Sequence, residues 1–381
     1  MAGRAIPLIE VSGGPGERGH AYGEAARGEI RSSVDYYREA FAVASGLRWP
    51  EVLDAARQWR GVVEGAAPDL LKEMDAIAEG AGVRPDEILA LNARGEIVRG
   101  HDSAFAPGRA TEETDGCSSF ALMPEATGDS HVYCGQNWDW REGTQASTVM
   151  LRVVQPPRPT VIMQVEAGQI GRQGANSAGI ALNANGLDGR FGTPVGLPQP
   201  VMRRLLLDCD NLRDALDIPN RVRQHIATNL LVTHHKGVAV DLETTPVIHR
   251  WATPVNGVLV HGNHYQYGVP EPLRGSYRMS SPDSLYRVQV IERGLAAARD
   301  AVDSAQVRKV VTDTMSDHTG HPYGVCCHPD SRQSDVMKSK TIMSSLVDLT
   351  SGEYRVAAGN PCETPFELLP WNLYDGPGGE G

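Results

Sequence analysis

The first cysteine of the sequence, Cys117, directly follows a glycine, Gly116. If the peptide bond between them were cut, Cys117 would carry a free α-amino group beside its thiol. An α-amino group titrates near about 7.7–8.0, so at neutral pH it can take the thiol proton directly or through a water molecule. One cut would therefore supply a nucleophile and a base in a single residue, without a histidine partner.

The same thiol could make the cut. Its Sγ would attack the carbonyl carbon of Gly116, the acyl group would shift from nitrogen to sulfur, and water would hydrolyse the thioester. Glycine favours this step because it leaves the carbonyl unobstructed and tolerates a strained backbone. The alternative interpretation is a turn followed by a small buried residue, since free cysteine is among the most buried residue types.

A second group of reactive side chains lies in "DHTGHPYGVCCH", residues 317–328. Its members, of the types that zinc prefers, are Asp317, His318, His321, Cys326, Cys327 and His328. Zinc sites usually present separated pairs of ligands, whereas adjacent cysteines would strain to bind one ion. The main prediction is therefore a site without metal or cofactor. The alternative is a zinc-dependent hydrolase with the ligands His318, His321, Cys326 and His328.

Composition and charge limit the classes of function. The chain has 381 residues, 41% of them hydrophobic, which is enough for a sizeable core. Its formal net charge of −11 argues against a nucleic-acid surface, so a small ligand is expected. No run of 18 apolar residues and no secretory apolar run are found, which predicts no membrane segment and a cytoplasmic location. Six cysteines are too few for a disulfide scaffold.

The elements that must position these residues change in character near Cys117. Before it, apolar residues recur at helical spacing, as in Ile30, Val34, Tyr37 and Phe41. After it, short β runs alternate with turn residues, beginning with a hairpin at Cys117. The step Asn256–Gly257 suits a tight hairpin between "VIHRW" and "VLVHGNH". Antiparallel sheets with helices packed on them predict an α+β layered architecture.

Four stretches of the chain are similar to those of one known family. In order they are "DGCSSF", "GQNWDW", "EAGQIGRQGANSAGIALNANGL" and "HGNH". Together they resemble the acyl-coenzyme A:isopenicillin N acyltransferase family of N-terminal-nucleophile hydrolases. Members of that family are precursors that cleave themselves at a Gly–Cys bond, after which the N-terminal cysteine attacks amide or thioester acyl groups. The resemblance implies a four-layer αββα sandwich with a helical N-terminal segment.

The resemblance also implies two subunits. Residues 1–116 would form a helical pro-segment, the small subunit that self-cleavage releases. Residues 117–381 would form the catalytic αββα large subunit, with the small subunit as its partner. The expected substrate is a small acylated amine or amino acid, and acyl-coenzyme A is an alternative donor.

Site residues follow from the resemblance position by position. Cys117 matches the nucleophile, and Gly116 precedes the scissile bond. Asp139 matches an aspartate close to the nucleophile, where a carboxylate can orient the α-ammonium group and set its pKa. Asn263 matches the asparagine whose side-chain amide helps to form the oxyanion hole, and a neutral donor suits charge that develops only in the transition state.

Further positions are similar to related branches or depart from them. Asn185 is a second oxyanion candidate by similarity to the choloylglycine hydrolases, with Asn183 one strand step away. Gln136 stands where those hydrolases carry an arginine, so their bile-salt chemistry is not expected. Cys327 stands where the acyltransferase branch commonly has an arginine, which puts processing or substrate binding in doubt.

The predicted function is a self-processing N-terminal-cysteine amidohydrolase or acyltransferase that acts through a thioester on Cys117. Trp138 and Arg287 are the predicted substrate-binding residues, although tryptophan often fills a core and a helical arginine often forms a salt bridge. Hydrolysis is favoured over acyl transfer because water is always present. A catalytically silent relative that only binds ligand is a further alternative.

Overall fold

Two β-sheets stacked face to face, with helices on both outer faces, make up the computed structural model, which describes residues 6–100 and 116–376. A cluster of buried apolar side chains lies between each pair of neighbouring layers. The order of layers is therefore helix, sheet, sheet, helix, and the predicted four-layer α+β architecture is confirmed. No helix in this described part of the chain is long and apolar enough to cross a membrane.

Seven N-terminal helices cover one outer face. They are α1 (Pro15–Ala25), α2 (Arg27–Ser45), α3 (Trp49–Ala56), α4 (Gln58–Ala66), α5 (Pro68–Ala81), α6 (Pro85–Asn92) and α7 (Arg94–Gly100). Proline stands in the first turn of α1, α3, α5 and α6, where its missing N–H costs no hydrogen bond. A Cβ at Gly80 would lie 2.2 Å from the His20 carbonyl oxygen, so glycine permits the close contact of α1 and α5. The predicted helical segment is thus present.

A short strand that was not predicted precedes these helices. In β1 (Leu8–Ser12) only Ile9 and Val11 are buried, and β1 pairs in parallel with β4 (Thr148–Val154). Five residues give too weak an alternation to be recognised in the sequence. The N-terminal segment therefore contributes to a sheet as well as to the helical layer.

The eight-stranded sheet has the order β1-β4-β5-β6-β7-β8-β9-β10. Its other strands are β5 (Val161–Glu166), β6 (Gly174–Asn176), β7 (Ile180–Gly186), β8 (Thr228–His234), β9 (Val238–Thr244) and β10 (His249–Ala252). All of these neighbours after β4 pair antiparallel. Helices α8 (Gln199–Leu207) and α9 (Leu212–Arg221) share a core with the N-terminal helices and this sheet.

The six-stranded sheet has the order β11-β2-β3-β12-β13-β14. Its strands are β2 (Gly116–Leu122), β3 (Tyr133–Arg141), β11 (Val258–His261), β12 (Ser339–Asp348), β13 (Glu353–Ala357) and β14 (Glu367–Leu368). Helices α10 (Ser284–Leu295) and α11 (Ser304–Met315) pack on its outer face. The predicted hairpin of β2 and β3 places the start of β2 opposite the end of β3.

The predicted hairpin around Asn256–Gly257 is wrong in its pairing. The tight turn exists, with positive φ at both residues and backbone bonds between Val255 and Val258. However, β10 pairs with β9 in one sheet and β11 pairs with β2 in the other. The dipeptide encodes the turn, whereas long-range pairing with other strands decides which sheet each flanking strand joins.

Candidate active site

Cys117 lies at the second position of β2, between the two sheets. It stands opposite Trp138 on β3, and both side chains belong to the apolar cluster that separates the sheets. Because side chains alternate along a strand, Gly116 and its partner Asp139 lie on the other face, towards α10. The β2–β3 register therefore brings the predicted nucleophile, scissile residue and aspartate to one end of the hairpin.

Gly116 has a steric reason to be glycine, apart from the predicted self-cleavage. A Cβ built there would lie 3.1 Å from Asp139 Cβ and 3.3 Å from its Oδ2. Any side chain would therefore crowd the carboxylate. The glycine leaves Asp139 room to lie against the backbone immediately before Cys117.

Asn263 reaches this end of the β2–β3 hairpin, the Cys117 corner, from a distant part of the chain. Its Oδ1 accepts a hydrogen bond from the Cys117 backbone N–H at 2.8 Å and another from Arg287 Nη2 at 3.0 Å. Both partners can only donate, which fixes the amide orientation. Asn263 Nδ2 therefore points the other way and donates to the Gly186 carbonyl at 3.2 Å.

Arg287, on α10, is enclosed in the same corner. Its Nη1 donates to the Cys117 carbonyl at 2.9 Å and to Ser118 Oγ at 2.6 Å, and its Nε donates to Asp283 at 2.7 Å. Burial alone would lower the pKa of Arg287, but the carboxylates of Asp283 and Asp139 raise it overall. The expected helix-face salt bridge exists, and the same guanidinium also contacts the Cys117 backbone.

Asp139 is held by a strand from the end of the chain. Its Oδ1 accepts a hydrogen bond from Thr341 Oγ1 at 2.6 Å. Thr341 Oγ1 in turn accepts from the Cys327 backbone N–H at 2.9 Å. Cys327 therefore lies beside the corner, where Asp139 and Arg287 both act on it electrostatically. Sequence reasoning did not find Thr341, because only the β3–β12 pairing brings it to Asp139.

The second oxyanion candidate, Asn185, faces β2 from β7. Its Oδ1 accepts from Ser119 Oγ at 2.6 Å, and its Nδ2 donates to the His261 carbonyl at 3.3 Å. Asn183 instead contacts Cys134 on β3. The β2 partner of Cys134 is Ala121, two residues further from Cys117 than Ser119. Asn185 is therefore the asparagine of this pair that lies closer to Cys117. Its role in the chemistry stays a prediction.

A polar chain behind Asn263 controls its backbone. The Asn263 N–H donates to Ser284 Oγ at 2.6 Å, and Ser284 Oγ lies 2.7 Å from His264 Nδ1. Burial, and then the neighbouring charge of His261, lowers the pKa of His264 to about 4. A neutral His264 can accept a hydrogen bond from the Ser284 hydroxyl, and Ser284 Oγ can then accept a hydrogen bond from the Asn263 N–H.

Two buried carboxylates face His261 and favour its charged form. Its Nε2 lies 3.1 Å from Glu243 and 3.7 Å from Asp241. Burial alone would lower the pKa of His261, but these carboxylates outweigh burial and raise it. The sequence offers little sign of this network, because β9 meets β11 only in the folded chain.

A small cavity of about 40 Å³ lies next to the corner, between α7, α8 and the end of β7. Its lining includes Arg94, Glu96, Trp140, Arg172, Gly186 and Arg203. The Arg172 guanidinium stacks 3.8 Å above the Trp138 ring. Gly186 carries the carbonyl that Asn263 binds. Two of its lining residues, Arg172 and Gly186, thus contact Trp138 and Asn263 on the way to Cys117.

The predicted histidine and cysteine cluster is reorganised in the structure. His318, Cys326 and His328 converge with Cys362, a residue that was not predicted. The predicted ligand His321 lies outside this group, with its ring centre 5.3 Å from that of His328. The sequence could not pair Cys326 with Cys362, because 36 residues separate them.

Comparison with known proteins assigns a family to this arrangement. A model of the family described as acyl-coenzyme A:6-aminopenicillanic acid acyl-transferase matches residues 126–363. The acyl-coenzyme A:6-aminopenicillanic-acid-acyltransferase 40 kDa form of Emericella nidulans is 29% identical over 265 residues, 67% of this chain and 68% of that protein.

Two solved structures are similar at low sequence identity. Penicillin V acylase from Agrobacterium tumefaciens is 13% identical with a TM-score of 0.44, covering 64% of this chain and 83% of that one. A variant of conjugated bile acid hydrolase from Clostridium perfringens is 12% identical with a TM-score of 0.42, covering 70% of this chain and 100% of that one.

Proposed function

The chain belongs to the acyl-coenzyme A:6-aminopenicillanic acid acyl-transferase family, and from this membership we propose that it is a self-processing N-terminal-cysteine enzyme with Cys117 as nucleophile. The family confirms the resemblance found in the sequence and confirms that the protein is an enzyme of the acyltransferase and amidohydrolase class. The observation that carries the proposal is the convergence of Asn263 and Arg287 on the backbone of Cys117.

Self-cleavage is the first reaction of the proposal. Cys117 Sγ attacks the Gly116 carbonyl carbon, the C–N bond breaks, and the Cys117 nitrogen takes up a proton as an amine. Water then hydrolyses the thioester, which leaves a carboxylate on Gly116 and regenerates the thiol. Asn263 Oδ1 already holds the Cys117 N–H, so it can keep the new amine in place. The products are residues 1–116 and residues 117–381.

Turnover uses the same thiol with the new amine as its base. The free amine removes the thiol proton, and the thiolate attacks the acyl carbon of the substrate to give a thioester on Cys117. Asn263 Nδ2, now directed at the Gly186 carbonyl, is the proposed donor to the oxyanion, with Asn185 as the second. Asp139 orients the ammonium group from the opposite face of the strand.

Arg287 can supply the positive charge that is missing at position 327. An arginine was expected there, and Cys327 cannot supply its charge. Arg287 places a buried guanidinium 2.9 Å from the Cys117 carbonyl. We assign to Arg287 the task of fixing the Cys117 backbone and stabilising negative charge close to it, which replaces the predicted direct contact with substrate by a positioning role.

The arginine-lined cavity suggests the substrate class. Arg94, Arg172 and Arg203 line this cavity of about 40 Å³, which has room only for a small polar group, and Arg94 is paired with Glu166. Guanidinium groups match carboxylate and phosphate geometry. The relative from Emericella nidulans is named for acyl-coenzyme A and 6-aminopenicillanic acid. We therefore infer a small N-acylated amine or amino acid that carries an anionic group, with acyl-coenzyme A as the alternative donor.

Trapping the acyl-enzyme tests this function. Cleaved protein is mixed with N-acyl amino acids, β-lactam amides and acyl-coenzyme A donors, quenched in acid, and weighed by intact mass spectrometry. The chain beginning at Cys117 should gain the mass of the acyl group, and each free acid should react faster than its neutral ester. The control Cys209→Ser alters a half-buried thiol just after α8 and should behave like the wild type.

Two results would argue against the proposal. Turnover that persists in Cys117→Ala would place the nucleophile elsewhere. A cleaved protein that binds these compounds without forming an adduct would favour the silent, ligand-binding alternative. The zinc-dependent hydrolase is not supported by the family comparison, and turnover that disappears on chelation while Cys117→Ala stays active would be needed to restore it.

A further inference from the structure

The cluster of histidines and cysteines outside the active site has the geometry of a metal centre. We propose that this chain contains a structural zinc site between the segment after α11 and the segment after β13. Its four ligands are His318, Cys326, His328 and Cys362. The proposal of this zinc quartet does not rest on the proposed function of Cys117.

Three separations within the zinc quartet lie in the range that a tetrahedral ion requires, and the two imidazole nitrogens lie slightly closer together. The two sulfurs lie 3.5 Å apart, and His328 Nε2 lies 3.6 Å from Cys326 Sγ and 3.5 Å from Cys362 Sγ. The two imidazole Nε2 atoms, of His318 and His328, are 3.1 Å apart. Zn–S bonds of about 2.3 Å and Zn–N bonds of about 2.0–2.1 Å in a tetrahedron require ligand separations of about 3.3–3.8 Å.

Other interactions explain this convergence less well. A disulfide needs its sulfurs about 2.0 Å apart, well below the separation of Cys326 and Cys362. Thiols are weak hydrogen-bond donors and acceptors, so two thiols and two imidazoles gain little by facing one another. One cation at the centre satisfies two thiolates and two neutral imidazoles simultaneously, with all four ligand atoms within 4.8 Å of one another.

The number of ligands indicates a structural and not a catalytic ion. Four protein ligands complete a tetrahedron, whereas catalytic zinc keeps one position open for water or substrate. The ion would join Cys326 and His328 on one segment to Cys362, which lies 36 residues after Cys326. Asn360 already bridges these segments, because its Nδ2 donates to Cys326 Sγ at 3.3 Å and to the Cys327 carbonyl at 2.7 Å.

The zinc quartet is connected to the active site through Cys327. This residue stands between two ligands, and its N–H donates to Thr341 Oγ1, which donates to Asp139. The Thr341 N–H also donates to the Cys327 carbonyl at 2.9 Å. A metal that fixes Cys326 and His328 would therefore hold the residue that positions Thr341 against Asp139. The ion supports the site without contacting substrate.

Metal analysis of untagged, reduced protein tests this site. The wild type should contain about one zinc per chain, and cobalt in its place should give the intense visible absorption of a tetrahedral thiolate complex. Cys362→Ser and His318→Asn alter exposed side chains, so both variants should fold, as circular dichroism will check. Each should lower zinc affinity by about tenfold or more, since a four-ligand site loses one bond.

Matched variants make the result specific. Cys209→Ser removes a thiol outside the zinc quartet, and His321→Asn removes the neighbouring imidazole that was predicted as a ligand. Both should retain zinc with wild-type affinity. The proposal is overturned if the reduced wild type binds neither zinc nor cobalt stoichiometrically, or if the ligand variants bind as tightly as the two controls.

Discussion

Two cysteine sites of this chain differ in how their thiols are surrounded. At Cys117 one thiol lies between two sheets, while donors and acceptors from β3, α10 and the end of β11 hold its backbone. In the zinc quartet two thiols face two imidazoles, and loop segments carry all four. The contrast separates the proposed nucleophile, which needs a fixed backbone, from the proposed ligands, which need convergent side chains.

The two sites also differ in how they use the same short stretch of sequence. Cys326 and His328 point into the zinc quartet, whereas Cys327 between them faces the active site through Thr341 and Asp139. Adjacent cysteines therefore have separate tasks. The strain expected when neighbouring cysteines bind one ion does not arise, because the second thiol ligand comes from Cys362.

Arg287→Met should give the largest separation of the two sites. It removes the donor to the Cys117 carbonyl and to Asn263, and it leaves Asp283 without its buried partner. We expect the rate of self-cleavage to fall by about 10²–10³-fold, as for the loss of one donor at an oxyanion site. Intact mass against time measures this rate, and zinc content should stay unchanged.

Two further variants serve as controls for Arg287→Met. Arg293→Met removes an exposed arginine from the same helix and should cleave like the wild type. Arg287→Lys keeps the charge but loses the forked geometry, so partial recovery is expected. If Arg287→Met folds with an unchanged melting temperature and still cleaves at the wild-type rate, the positioning role of Arg287 is wrong.

A smaller effect is expected from pH, which should act on the Cys117 site through His264. The folded pKa of His264 is lowered to about 4 by burial and by the charge of His261. Its unfolded pKa is near 6.5, so between pH 6.5 and 4 the unfolded chain binds more protons and stability falls as the pH falls. Protonation also removes the acceptor for Ser284, which disturbs Asn263.

In His264→Gln, the stability and the rate of self-cleavage should therefore fall less steeply as the pH is lowered. The effect is modest because His264 is only half-buried and water screens part of it. Melting temperatures from pH 7 to 4.5 measure it, with His20→Gln on the surface of α1 as the control. An acid limb as steep in His264→Gln as in the wild type would assign the pH dependence to other groups.

The sequence predicted local features of this molecule better than distant contacts. Helical spacing before Cys117 and the β2–β3 hairpin were predictable, because periodicity and turn chemistry act over a few residues. The hairpin register also places Gly116 beside Asp139. By contrast, the contact of Asn263 with Cys117 spans 146 residues and was reached only through the family resemblance.

Where no resemblance helped, the predicted groups of residues were incomplete. Cys362 was missed as a member of the histidine and cysteine cluster and His321 lies outside it, because the three-dimensional path of the loops decides which side chains meet. β1 was missed because Ile9 and Val11 alone make a weak strand signal. In each case a contact between distant segments determines the outcome, and single-sequence patterns do not contain it.

The central claim is that Cys117 cuts the chain before it acts on a substrate. Intact mass and N-terminal sequencing of freshly prepared wild-type protein and of Cys117→Ala test it most directly. The wild type should separate under denaturing conditions into two chains, one of them beginning at Cys117, while Cys117→Ala stays a single chain of 41.1 kDa. A catalytically active wild type that remains one uncut chain would contradict the account.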